Sequence, residues 1–389
     1  MAGIFRDPSK LSPRYIPERL PHRESYIEQI ASFFHPGSEH ATVVQVQGPA
    51  GCGKTSSAYH AGRRLEMLGR ERGINVKSVY LNLKLESPTR FVLYKRLLDK
   101  VEPAASSRSL SAEELLERFL RVVRTKGLKP LIIVDEIDYF LRTSKDTSVV
   151  YDLTRLNELA LGEGTNVLGL VLIARDPSWR RRLDRAELST LGQLVVNMPR
   201  YTVSELYDIL EYRSFEAFRP GTVGGDVLEF VADVTFKEAG GDVRYALDVL
   251  YYSGLVADRE DSDCVKPDHV RRVLAQLNPT ITSEDLSSLS DHERLALLAV
   301  AYALRESKSP YVSFTDVAAH YKSICEERGV RRLGLRTLED VLQRLSDRGI
   351  VQVRGIKRIG IAEASLDRLI PMLDGLISRI NLQGSQHPS

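Results

Sequence analysis

Apolar runs and amphipathic stretches alternate through the first half of the chain, and amphipathic stretches alone fill most of the second. Thr42–Val46 is a short β-branched run, the composition of a strand buried on both faces. A helix-forming segment follows from Thr55 to about Leu68. VKSVYLNL reads as another strand, and SPTRFVLYKRLLDKV as a helix with Ser87 and Pro88 at its start. In SAEELLERFLRVVRTKG, Leu115, Leu116, Phe119, Leu120 and Val123 share one helical face behind a Ser-x-x-Glu capping box. Leu131–Val134 predicts a central strand, DLTRLNELAL a helix and VLGLVLIAR a further strand. The alternation continues to about residue 198, which is the pattern of a parallel α/β sheet with flanking helices.

Strands then cease. LPHRESYIEQIASFF near the start and nearly everything in 200–280 read as helices, while 281–290, ITSEDLSSLS, is polar and reads as a linker. From residue 291 three helical stretches precede a short hairpin, IVQVRGIKRIGIA, the order of a winged helix-turn-helix. In the last of these helices Thr337 and Asp340 suit the start, Leu338, Val341, Leu342 and Leu345 face inward, and Arg336, Gln343, Arg344 and Asp347 project outward. Three domains are expected: an α/β core over 1–199 with an extended N-terminal arm in residues 1–20, an all-α domain over 200–283 and a winged helix over 284–389.

Composition narrows the chemistry. The chain has 389 residues and a net charge of +2, so any nucleic-acid signal must be local. It is local: residues 328–358 carry nine Lys/Arg against three Asp/Glu, including Arg331, Arg332, Arg336, Arg344, Arg354, Lys357 and Arg358. The alternative is a winged helix that packs on protein and merely solvates its charges. Cys52, Cys264 and Cys325 are far apart and form no CxxC pair, which argues against a zinc site or a disulfide framework. No apolar run is long enough for a membrane helix and the N-terminus is no signal peptide, so a cytoplasmic, nucleoid-associated protein without a membrane partner is expected.

The strongest motif is GPAGCGKTS at residues 48–56. A strand, a glycine-rich loop and a helix in this order cradle phosphate with inward N–H groups and a helix N-terminus. Gly48, Pro49, Ala50, Gly51, Cys52, Gly53 and Ser56 supply the path, Lys54 reaches the β- and γ-phosphates, and Thr55 ligates Mg²⁺. A partner carboxylate should end a strand, and LIIVDEIDYF provides it: Asp135 for Mg²⁺, partly through water, and Glu136 to polarise an attacking water.

Phosphate cradle, carboxylate strand, helical domain and winged helix, over nearly the whole chain, resemble the AAA+ replication initiators. The nearest resemblance is to the archaeal proteins related to the eukaryotic origin recognition complex and its partner loader. The resemblance implies that backbone around Leu20, His22 and Arg23 in YIPERLPHRESYIEQI borders the adenine of ATP or ADP, with Tyr201, Leu206, Tyr207 and Ile209 lining the base pocket from MPRYTVSELYDIL. In GDVRYALDVLY it makes Arg244 the second sensor on a helical lid, reaching the γ-phosphate. It also implies a helical DNA-contacting element at ESPTRFVLYKRLL, with Arg90 and Lys95, though an ordinary covering helix fits that stretch equally. Two departures stand out. The first-sensor position, usually polar, holds Arg175, and the arginines that would complete a neighbour's site, Arg182 and Arg185, are displaced by about one residue. Slow ATP hydrolysis serving as a switch is therefore expected. The implied partners are double-stranded origin DNA, the replicative helicase and other initiator copies or paralogues. Two alternatives remain: a signalling or transcription-regulating ATPase whose winged helix contacts protein, and a clamp-loader-like ATPase.

Overall fold

The computed structural model describes residues 3–86, 89–103, 110–144, 147–159, 165–277, 283–354 and 358–384. It divides into two compact units, Ile16–Tyr201 and Met1–Tyr15 with Thr202–Ser389.

The first unit is built on a parallel sheet of β1 (Thr42–Gln47), β2 (Asn75–Asn82), β3 (Leu128–Asp135), β4 (Gly169–Ala174) and β5 (Val195–Asn197), in spatial order β2-β3-β4-β1-β5. β4 is buried along its whole length and β3 over its last six residues, because helices cover both faces. One apolar layer lies between the sheet and Lys54–Glu71; the other includes Leu93, Leu97, Phe119 and Phe140. The capping box on Ala112–Thr125 forms as its sequence predicts, with Ser111 and Glu114 bonding each other's backbone N–H. Arg90–Val101 is capped by Thr89; Ser87 and Pro88 lie outside the described residues. The strand order leaves the C-terminal ends of β1 and β3 side by side with β4, the position at which open α/β sheets bind ligands.

The second unit combines the all-α domain and the winged helix. Val203–Ala217, Gly225–Ala239, Val243–Arg259 and Pro267–Leu277 form the former. Asp291–Ser307, Phe314–Glu327, Leu335–Asp347 and the two-stranded wing, β6 (Gln352–Val353) and β7 (Ile359–Gly360), form the latter. The third winged-helix helix starts at Leu335 behind a Gly334 cap, two residues before Thr337.

Two expectations are corrected here. The stretch assigned as a linker contains a helix, Ser283–Ser288, and buries Leu286 and Leu289 in the winged-helix core. Two apolar side chains among polar ones are enough to anchor it. The N-terminal arm is not simply extended, and its first part, through Tyr15, does not group with the sheet. Phe5 stacks on Phe218 with ring centroids 4.7 Å apart, Pro8–Leu11 makes a 3-10 turn, and Arg213 donates to the Lys10 carbonyl.

Buried Arg271 braces the winged helix against Pro267–Leu277, donating to the carbonyls of Ile361 (2.8 Å), Ser309 (3.1 Å) and Pro310 (3.1 Å). Burial pulls its pKa down to about 10. Arg271→Leu strands three acceptors at this junction, and a loss of about 2–4 kcal/mol is expected. Calorimetric unfolding of the variant against the parent chain measures it.

Candidate nucleotide site and basic winged helix

The loop after β1 is shaped by close approaches. A Cβ on Gly48 would lie 2.3 Å from the Met198 carbonyl oxygen, and Gly53 caps Lys54–Glu71 in the left-handed region at φ 90°. The cap has no side-chain hydrogen bond, so the first N–H groups of an 18-residue helix remain for an anion. Lys54 is nearly buried and donates from Nζ to the carbonyls of Gly48 (2.7 Å) and Pro49 (2.6 Å). A charged phosphate oxygen is a stronger acceptor than either. Ala50 is the exposed tip of the loop, and Cys52 is buried, its thiol pushed up by desolvation and so unreactive.

The two motifs meet. Thr55 Oγ1 donates to Asp135 Oδ2 at 2.6 Å, Tyr80 donates to the same oxygen at 2.9 Å, and the Glu136 N–H donates to Asp135 Oδ1 at 2.8 Å. Burial raises the Asp135 pKa against these bonds. A hydroxyl beside a carboxylate is a set of hard oxygen donors, suited to Mg²⁺, which keeps much of its water and takes few protein ligands. Glu136 sits at φ 60° and opens Ile137–Thr143. Its Oε1 pairs with Arg175 Nη2 at 3.3 Å, and its buried Oε2 has no hydrogen-bond partner among the described residues. One oxygen is thus engaged and the other is available to a water. That Arg175 reaches this carboxylate was not legible in the sequence, where it is only a departure from a polar sensor.

The motif assigns the backbone around Arg23 to the adenine; the structure shows what the Arg23 side chain does. Its side chain is buried and donates to the carbonyls of Cys52 (2.8 Å), His22 (2.8 Å) and Pro199 (2.9 Å), with its guanidinium 3.6 Å from the Tyr201 ring centroid. The Tyr201 hydroxyl lies 2.8 Å from where a Gly53 Cβ would be. Both side chains therefore brace the loop from beneath. Leu20 is half-buried and His22 is exposed with φ 63°. Tyr207, Ile209 and Arg244 belong to the other unit: Ile209 is buried, Tyr207 donates to Glu211 at 3.3 Å, and Arg244 is exposed near the start of Val243–Arg259, where Asp242 caps its N–H.

The basic residues of the winged helix divide into two sets. Arg331, Arg332 and Arg336 are exposed at the N-terminal end of Leu335–Asp347. Arg344 pairs with Glu293 at 3.4 Å, Arg354 with Asp233 at 2.6 Å and Arg358 with Glu229 at 2.7 Å. Lys357 lies outside the described residues. Arg90 pairs with Asp152 at 3.2 Å and with Glu113 at 2.5 Å.

A family profile described as an AAA domain matches residues 38–183, one described as a Cdc6 AAA+ ATPase-type lid domain matches 207–275, and one described as a CDC6 C-terminal winged helix domain matches 284–362. ORC1-type DNA replication protein 1 of Aeropyrum pernix is 32% identical over 359 residues, covering 91% of this chain and 89% of that protein. The chain belongs to the archaeal ORC1/Cdc6 family of AAA+ replication initiators. ORC1-type DNA replication protein 2 of Saccharolobus solfataricus is 28% identical, with 90% and 86% of the two chains covered. Among solved structures, Cdc6p from Pyrobaculum aerophilum superposes with a TM-score of 0.82 at 27% identity, covering 97% of this chain and all of that one. The Aeropyrum pernix ORC1 protein in complex with DNA gives 0.62 at 27% identity, covering 98% of this chain and all of that one. The ORC1/Cdc6 architecture of α/β core, helical lid and winged helix is the one the periodicity predicts. It sets aside the clamp-loader-like and signalling alternatives. Among the described residues no helix is long and apolar enough to cross a membrane.

The raised pKa of Asp135 has a sign that can be checked. Its ionised form costs folding stability at neutral pH, and the cost fades as the pH falls through the folded-state pKa. Asp135→Asn should raise the melting temperature of the nucleotide-free chain at pH 7.5, with a gain that shrinks as the pH falls through the folded-state pKa. Equal melting of both proteins across that range would contradict the assignment.

Proposed function

We propose that this initiator binds ATP or ADP with Mg²⁺ in the Gly48–Ser56 cradle, binds double-stranded origin DNA through its winged helix, and helps load the replicative helicase alongside other initiator copies. The observation that carries the nucleotide reading is the 2.6 Å contact between Thr55 and Asp135, which brings two motifs 80 residues apart to one point. Lys54 would leave its loop carbonyls for the phosphates, and the helix N-terminus would add its partial charge. Thr55 and Asp135 would hold Mg²⁺, which supplies charge neutralisation on the phosphates when bound. Glu136 would take a proton from water through Oε2. Arg175 occupies the other oxygen and limits how that carboxylate can turn, which supports slow turnover and a switching role. Arg244 would report the γ-phosphate from the lid.

The DNA reading rests on the exposed triad Arg331, Arg332 and Arg336 at a helix N-terminus, the end of a recognition helix that meets duplex DNA. The DNA complex of the Aeropyrum pernix ORC1 protein supports the same use of this chain. Arg182 and Arg185, both exposed, are the residues proposed to act on a neighbouring copy.

Three variants test the assignments. Lys54→Ala should abolish ATP and ADP binding in calorimetric titration, whereas Glu136→Gln should keep binding and lose at least tenfold in hydrolysis. Hydrolysis at the parent rate by Glu136→Gln would remove Glu136 from its role. Arg244→Ala should spare ADP affinity and lower ATP affinity about five- to tenfold, a loss of about 1–1.4 kcal/mol. Equal losses for both nucleotides would make Arg244 structural.

A further inference from the structure

The wing carries charges that its own lid already holds, and the two arginines are held differently. Arg354 Nη1 meets Asp233 Oδ1 at 2.6 Å, and the Tyr311 hydroxyl donates to Asp233 Oδ2 at 3.0 Å. Asp233 is 1% exposed, so this carboxylate cannot be left unpaired without the penalty of an isolated buried charge. Arg358 Nη2 meets Glu229 Oε1 at 2.7 Å and stands farther from Asp233 Oδ2, at 3.5 Å. Glu229 is 49% exposed and Arg358 35%, and the guanidinium lies 4.8 Å from the Tyr311 ring centroid. If Arg358 swings away, Asp233 keeps two partners and Glu229 returns to water. Arg354 is therefore an anchor, and Arg358 is the charge that can leave.

We propose that Arg358 exchanges partners, held by Glu229 of the lid in the free protein and by a duplex phosphate in the complex, so that Glu229 is an autoinhibitory acid that lowers DNA affinity. This rests on the DNA reading above. A phosphate offers the same paired oxygens as a carboxylate and takes a guanidinium equally well. Glu229 lies one turn before Asp233 on the lid helix Gly225–Ala239, so the lid and the wing share one charge. Any movement of that helix relative to the wing would change how freely Arg358 is offered.

The test is duplex binding by the full chain, measured by fluorescence anisotropy on a random double-stranded oligonucleotide across a salt series. Glu229→Gln, on a half-exposed surface, should tighten binding about three- to tenfold near 0.1 M salt and steepen the log–log salt slope by up to about 0.9. Arg358→Ala should weaken binding by a similar factor with little change in melting temperature, whereas Arg354→Ala should chiefly lower the melting temperature. The double variant is decisive: with Arg358 already alanine, Glu229→Gln should give no further gain. An equal gain in both backgrounds would mean that Glu229 acts only as diffuse negative charge, and the exchange would be overturned. Duplex affinity unaffected by Arg358→Ala would overturn it too while leaving the DNA reading intact. Absence of duplex binding by the parent chain and every variant at low salt would remove both.

Discussion

One buried guanidinium holds the phosphate loop in place. A loop that turns its backbone N–H groups toward an anion site leaves carbonyls facing away from it, and these need donors from elsewhere in the fold. Arg23 supplies the missing support from below, satisfying the Cys52 and Pro199 carbonyls at once and stacking on Tyr201. The Gly48 path fits only because no Cβ stands against the Met198 carbonyl. The phosphate loop and the segment leaving β5 are therefore tied through Arg23, and the carboxylate strand β3 joins them through Thr55 and Asp135. Pro199 and Tyr201 immediately precede the first lid helix in the chain.

The winged helix follows the same economy with charge. Its net basic character is not a uniform coat. Three arginines at the recognition-helix N-terminus are exposed, while Arg344, Arg354 and Arg358 are paired within their own unit. Arg271 does the structural work of joining lid to wing with neutral carbonyls, which leaves the carboxylates of Gly225–Ala239 to engage wing arginines. Joining two domains with a brace to neutral carbonyls and a contact that can be exchanged permits a stable junction that still responds to a competing anion.

Much of this was legible in the sequence, and the boundary of legibility has a physical cause. Strands β1 to β4, the lid helices, the capping box at Ser111 and the winged-helix order are all short-range patterns of period 2 or 3.6, so the chain announces them. The cradle and its carboxylate are fixed spacings attached to a strand, and these too can be read directly. Side-chain partnerships across long separations carry no such period. The backbone around Arg23 reads as a border of the adenine, but no spacing announces that its side chain also bonds the phosphate loop; Arg175 reads as a departure and turns out to pair with Glu136. Wing arginines read as part of a local basic excess, and the acids that hold two of them lie more than 100 residues away. The helix at Ser283–Ser288 was hidden for another reason: two leucines in a polar stretch look like a linker until the core they enter is known.

An initiator of the ORC1/Cdc6 family that acts at origins must select sites on duplex DNA. The most direct measurement is nuclease footprinting of the purified protein, with ATP and Mg²⁺, across genomic fragments from its own source. Discrete protected intervals clustered in one or a few intergenic regions are predicted. Even protection without preferred sites, at every protein concentration that binds, would contradict it.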